Sequence, residues 1–159
     1  MKVVFLDRDG VLNKEIGNYI TDPEHFIINE GVAEALEILQ DKGYRFIVIT
    51  NQGGIAKGLY THDTLGLIHD KLLNYLNGKG IDILDVYYCP HHPDFSACIC
   101  RKPGSLMLEK AIAYYKVDVK SSYFIGDTER DIEAGSRVGL RTIKINSNQD
   151  LQTIINKIA

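Results

Sequence analysis

The sequence predicts an α/β protein, a Rossmann-like three-layer α/β/α fold around a central parallel sheet. Short apolar runs alternate with amphipathic stretches of helical length, the order that βαβ units produce. The runs are continuously apolar, as strands buried on both faces are. They stop at polar residues, namely Asp7 and Asp9, Thr50 and Asn51, Cys89, and Asp127. In an open parallel sheet the C-terminal strand ends share one edge, and ligands bind there.

Val3-Val4-Phe5-Leu6 is the first strand. Residues 31–42 follow Gly31 and carry Val32, Ala35, Leu36 and Leu39 on one face, which predicts a helix closed by Gly43. Phe46-Ile47-Val48-Ile49 is the second strand. Thr61 caps the next helix, whose inner face is Leu65, Ile68, Leu72 and Leu76, with Gly78 and Gly80 closing it. Val86-Tyr87-Tyr88 is a third strand and leads into a cluster of cysteines. Ser105 caps a helix with Leu108, Ala111, Ile112 and Tyr115 inward. Tyr123-Phe124-Ile125 is the fourth strand, residues 129–138 a helix, and Arg141 to Ile145 a shorter fifth strand. Leu151, Ile154, Ile155 and Ile158 predict a last amphipathic helix. No repeat, low-complexity tract or linker interrupts the order, so residues 1–159 read as one domain.

Length and composition bound the function. The chain has 159 residues, 45% hydrophobic and 25% charged, with a net charge of −3. A negative balance argues against nucleic acid as a partner, because gripping the phosphate backbone requires a basic surface. No apolar run approaches the roughly 18 residues of a membrane helix, and the N-terminal run ends in Asp-Arg-Asp, unlike a secretory leader. The expectation is a cytoplasmic monomer acting on a small molecule, with no membrane partner.

Asp7 and Asp9 end the first strand two residues apart, with Gly10 after them. Carboxylates this close raise each other's pKa unless a cation intervenes. Mg²⁺ suits such a pair, being a hard ion that takes one or two carboxylates plus substrate phosphate. Asp-x-Asp-Gly alone also fits a turn; following a buried strand and matched by a distant acid, it favours a site. Asp127 is placed to supply a third ligand or to cap the helix after it. Thr128 and Asp131 fit a capping box, so Asp131 suits a structural or a functional role equally. Thr50 and Asn51 offer a hydroxyl and backbone N–H groups to phosphate oxygens, with Gly53 and Gly54 letting the backbone approach. Lys102 precedes Pro103 and can offset phosphate charge.

All three cysteines lie within residues 89–100. Cys89, His91, Cys98 and Cys100 form Cys-x-His-x₆-Cys-x-Cys, a closed tetrahedral set of the kind structural Zn²⁺ prefers. His92 is the alternative to His91. A set with no open position holds a loop in place and does not catalyse.

Together these residues resemble the haloacid dehalogenase (HAD) superfamily of phosphatases. Its motifs occur in order as Asp7-Arg8-Asp9-Gly10, Thr50, Lys102, and Gly126-Asp127 with Asp131. The resemblance implies a HAD-like fold and an aspartyl-phosphate mechanism. Asp7 would be the nucleophile and Asp9 the general acid and base. Mg²⁺ would sit on Asp7, the Asp9 backbone carbonyl and Asp127, with Thr50 and Lys102 holding the phosphoryl group. The second acid separates phosphatases from dehalogenases, which have no alkoxide to protonate. The Cys/His loop, Cys100-Arg101-Lys102-Pro103 and Thr50-Asn51-Gln52-Gly53-Gly54-Ile55-Ala56-Lys57-Gly58 look like the group containing heptose bisphosphate phosphatases and histidinol phosphatases, nearer the former. In that group the residue matching Arg101 contacts substrate, as do residues of the Gly53 to Lys57 loop. No segment is long enough for a large cap domain. The alternatives are a histidinol-phosphate or broader small-molecule phosphatase, and a non-catalytic zinc-containing binding module.

Overall fold

The computed structural model describes all 159 residues. Five strands, β1 (Val3–Leu6), β2 (Arg45–Asn51), β3 (Ile83–Cys89), β4 (Tyr123–Gly126) and β5 (Arg141–Lys144), form one sheet in the order β3-β2-β1-β4-β5. Every pairing is parallel. The chain runs outward from β1 on one side, then crosses to the other. β1 is thus central, and the crevice at its C-terminal end lies at the switch point of the sheet.

Period-two alternation sorts β1 between two cores. Val4 and Leu6 face a core with Leu36 and Leu39 of α1 (Val32–Asp41) and Ile68 and Leu72 of α2 (His62–Gly78). Val3 and Phe5 face the other, with Leu108 and Ala111 of α3 (Leu106–Tyr115) and Ala134 of α4 (Glu129–Arg137). These are the three expected layers. No helix is long and apolar enough to cross a membrane.

Thr61 caps α2 by accepting from the Thr64 N–H at 3.1 Å. Two local expectations fail. Ser105 precedes α3, but its hydroxyl bonds the Glu109 carboxylate at 2.6 Å and caps no amide. The last amphipathic segment is not an α-helix. Leu151–Thr153 and Ile155–Lys157 are 3₁₀ turns, with bonds from Ile154 N to Leu151 O and from Ile158 N to Ile155 O. Leu151, Ile154 and Ile158 are still buried as expected, because a tighter turn keeps them on one side. The successive β-branched residues Thr153, Ile154 and Ile155 disfavour continuous α-helix.

Candidate active site

β1 delivers Asp7 and Asp9 to the crevice. Asp7 extends the ladder by donating its N–H to Ile125 O at 3.0 Å, so the sheet fixes its backbone. Its Oδ1 accepts from the Arg8 N–H and from Lys102 Nζ, both at 2.8 Å. Lys102 Nζ also donates to Ile49 O at 2.9 Å and pairs with Asp131 Oδ1 at 2.6 Å. Asn51 locks the lysine's backbone to the end of β2. Its amide donates to Lys102 O at 3.1 Å, and its oxygen accepts from Lys102 N at 2.9 Å. Besides pairing with Lys102, Asp131 caps the next helix: its Oδ2 accepts from Thr128 N at 3.1 Å in a capping box.

Asp127 follows β4. Ser147 Oγ donates to its Oδ2 at 2.8 Å, whereas Oδ1 is buried with no partner. Gly10 makes this approach possible. Its φ is +85°, and a Cβ there would lie 2.1 Å from Asp127 Oδ2.

Oxygens of Asp7, Asp127 and Asp131 lie within 4.8 Å of one another. Burial raises the pKa of Asp7; Lys102 opposes this, and Asp131 and Asp9 add to it. Burial raises Asp127 too, with Asp131 contributing. Burial alone would lower Lys102, but the charges of Asp7 and Asp131 outweigh it and hold the ammonium firmly protonated. One lysine thus pairs with two of the three clustered carboxylates, and the third, Asp127, keeps an orphaned oxygen. A hard divalent cation fits this donor set and its charge deficit.

Asp9 is treated differently. Its Oδ1 accepts from Arg8 Nη2 at 2.8 Å and Asn13 Nδ2 at 2.9 Å, and its Oδ2 from Gln52 Nε2 at 3.0 Å. Burial alone would raise its pKa. The Arg8 charge and the three donors overcome this and hold it below the usual carboxylate range. The two acids of the motif therefore sit in opposed environments, Asp7 raised and Asp9 lowered.

Both acids open on a cavity of about 380 Å³. Lys102, Asp127 and Asp131 share its floor, the segment from Glu15 to Ile20 forms one wall, and Arg101 and Arg130 supply cationic groups. Gly53, Asn51 and Gln52 line it as well. Thr50 does not: it is buried, and its Oγ1 accepts from Gln52 Nε2 at 2.9 Å. Sequence reasoning missed Gln52, whose Oε1 accepts from Tyr60 OH at 2.5 Å. It also missed Arg8, Asn13 and Arg130. Gln52 lies in a glycine-rich turn, and the local sequence around Arg8, Asn13 and Arg130 does not show which groups they meet.

At the end of β3, ligand atoms of Cys89, His91, Cys98 and Cys100 lie within 4.8 Å of one another. Cys89 Sγ is 3.1 Å from Cys100 Sγ and 3.7 Å from Cys98 Sγ, too far for a disulfide. His91 Nδ1 is 3.2 Å from Cys100 Sγ. His92 instead accepts the Asp94 N–H at 3.2 Å, so His91 is the histidine of the cluster. The donor set fits a tetrahedral zinc ion. Arg101 Nη1 donates to His91 O at 3.3 Å, which ties the cluster to the cavity.

A HAD-hydrolase-like family model matches residues 99–158. The chain is 45% identical over 146 residues to the D-glycero-alpha-D-manno-heptose-1,7-bisphosphate 7-phosphatase of Photorhabdus laumondii, covering 88% of this chain and 79% of that protein. It is 37% identical to the D-glycero-D-manno-heptose-1,7-bisphosphate 7-phosphatase of Chlorobaculum tepidum, covering 96% and 82%. Among solved structures, the D,D-heptose 1,7-bisphosphate phosphatase of B. bronchiseptica, complexed with magnesium and phosphate, superposes with a TM-score of 0.87 at 31% identity. The match covers 99% of this chain and 87% of that one.

Proposed function

The chain belongs to the HAD-like phosphatase family of the D-glycero-D-manno-heptose-1,7-bisphosphate 7-phosphatases, and we propose that it releases the 7-phosphate of heptose 1,7-bisphosphate, leaving heptose 1-phosphate. The observation that carries the chemistry is the contrast between Asp7 and Asp9. Asp7 shares a buried cluster with Asp127, Asp131 and Lys102, while Asp9 lies outside it under three donors.

Asp7, Asp127 and the Asp9 backbone carbonyl would hold Mg²⁺, which when bound supplies charge neutralisation for the phosphoryl oxygens and the carboxylates around them. Lys102 adds a fixed positive charge, and Asn51 and Gly53 complete the grip on the phosphoryl group. The Asp7 carboxylate attacks phosphorus in line. The P–O bond to the sugar breaks, and Asp9 gives a proton to the leaving alkoxide. The resulting aspartyl-phosphate is hydrolysed by a water that passes its proton to Asp9, which restores both acids. Arg101 contacts the sugar phosphate from the cavity wall, where nearly all lining groups are polar.

We assign Cys89, His91, Cys98 and Cys100 to structural zinc. Reduced cytoplasmic thiols stay available to a metal, and a monomer suits a cavity built from one chain.

The test is phosphate release from heptose 1,7-bisphosphate, histidinol phosphate, other sugar phosphates and a 3′-phosphorylated oligonucleotide, with Mg²⁺ and with EDTA. The heptose substrate should lead and EDTA should abolish turnover. Asp7→Asn should lose essentially all activity, and Asp9→Asn about 10²–10⁴-fold. Full activity in Asp7→Asn would refute the nucleophile assignment, and preference for another ester would refute the substrate.

A further inference from the structure

Arg8 stands between the two motif acids, yet it has no exposed surface and does not line the cavity. It therefore cannot grip the substrate's phosphate. Asp9 is the one carboxylate in ion-pair reach of it, at 2.8 Å. The Phe26 ring lies 5.5 Å from its Cζ, and its Nε has no partner. A buried guanidinium is costly unless its fork is well filled. The second prong is filled from the far side by His69, on the inner face of α2, whose Nε2 lies 3.2 Å from Arg8 Nη1.

An arginine donates and never accepts. Nε2 of His69 must therefore offer its lone pair, which leaves the ring neutral with its proton on Nδ1. Burial, followed by the charge of Arg8, independently keeps this imidazole unprotonated. The other two donors to Asp9 belong to loops, Asn13 after the motif and Gln52 after β2. Only the Arg8 arm ties Asp9 to a core helix.

We propose that Arg8 and His69 are positioning residues for the reaction, a buried relay in which α2 fixes the guanidinium and the guanidinium fixes the side chain of Asp9. The relay rests on the phosphatase reading above, because it is the proton carrier of that reaction whose orientation it sets. It touches neither substrate nor reacting atoms.

Leaving-group dependence separates positioning from mere stability. An alkyl phosphate needs a proton on its leaving oxygen, whereas p-nitrophenolate departs without one. kcat/KM reports the first half of the reaction for both. His69→Leu fills the space but offers no acceptor, whereas His69→Gln restores one. In His69→Leu, kcat/KM for the sugar phosphate should fall about tenfold more than for p-nitrophenyl phosphate, with KM little changed, and His69→Gln should recover most of the loss. If His69→Leu does not fold, Arg8→Lys carries the same test, since it keeps the buried charge but loses the fork. Equal losses on both substrates, or none, with an active wild type would overturn the relay alone. A wild type that releases phosphate from neither ester would overturn the phosphatase reading beneath it.

Discussion

Asp131 holds Lys102 Nζ at 2.6 Å with both side chains buried, and the same carboxylate closes the capping box of α4 through Thr128. The two duties separate in mutants. Asp131→Asn keeps an oxygen for Thr128 but loses the charge, whereas Asp131→Ala loses both. Ala should therefore be less stable than Asn by about 1 kcal/mol, the worth of a cap, as read by denaturant midpoint. Both should lose turnover by roughly 10²-fold, because Lys102 would then pair with Asp7 alone and shift from its place on the cavity floor. Wild-type turnover in Asp131→Asn would show that Lys102 needs no second anchor.

Gly10 predicts a metal phenotype. At φ +85° an alanine is strained by about 1–2 kcal/mol, and its Cβ would displace the Asp127 carboxylate. Gly10→Ala should raise the Mg²⁺ concentration for half-maximal activity by about 10–100-fold, as disturbed ligand positioning does. A magnesium titration at saturating substrate checks this. An unchanged midpoint would mean that Asp127 is not a ligand.

Much of this site was legible in the sequence because its chemistry is carried at strand ends. Asp7, Asp127 and Asn51 lie where an apolar run stops, and a parallel sheet must bring such ends together. The Cys/His cluster was legible from spacing, since three thiols and an imidazole within twelve positions have few other uses. What could not be read was orientation. Thr50 looks like a phosphate ligand from its place after β2, yet its hydroxyl turns to Gln52. Arg8 reads as a solvated neighbour of two acids and is wholly buried. His69 falls on the apolar face of α2, where it could be core, and only the fold shows what it meets. Long-range pairing of this kind has no local signature. The 3₁₀ ending was missed for a related reason, since α and 3₁₀ turns bury the same Leu151, Ile154 and Ile158.

The cysteine cluster predicts that the purified protein carries about one zinc ion per chain. At free zinc a thousandfold above Kd, binding contributes about 4 kcal/mol, worth roughly 10 °C in melting temperature for a domain of this size. Chelation of zinc, or Cys98→Ser, should lower the melting temperature by that order and release the metal in elemental analysis. Because Arg101 bonds His91 O, the same variant should raise KM for the sugar phosphate more than it lowers kcat. A zinc-free protein with the same melting temperature as the zinc-loaded one would remove the structural role.

His69 predicts a pH dependence of stability. Burial, then the charge of Arg8, pushes its pKa down to about 3 from an ordinary 6.5, with Asp9 opposing. As pH falls through 6.5 the unfolded chain takes up a proton there and the folded chain does not. The stability this site supports is therefore complete above pH 6.5, is lost steadily as pH falls toward 3, and changes no further below that. Between pH 6.5 and 5 the loss is about 2 kcal/mol, at 1.36 kcal/mol per pH unit. Raised carboxylates such as Asp7 and Asp127 act in the opposite direction over their own ranges, so the wild-type curve alone cannot isolate the histidine. Comparing variants does, because His69→Gln removes the titrating ring and leaves those acids in place. Urea midpoints measured from pH 8 to 4.5 should fall more steeply in wild type than in His69→Gln, the two curves converging by about 2 kcal/mol at pH 5. Parallel curves would mean that His69 accepts a proton as readily in the fold as outside it, which a lone pair committed to Arg8 does not allow.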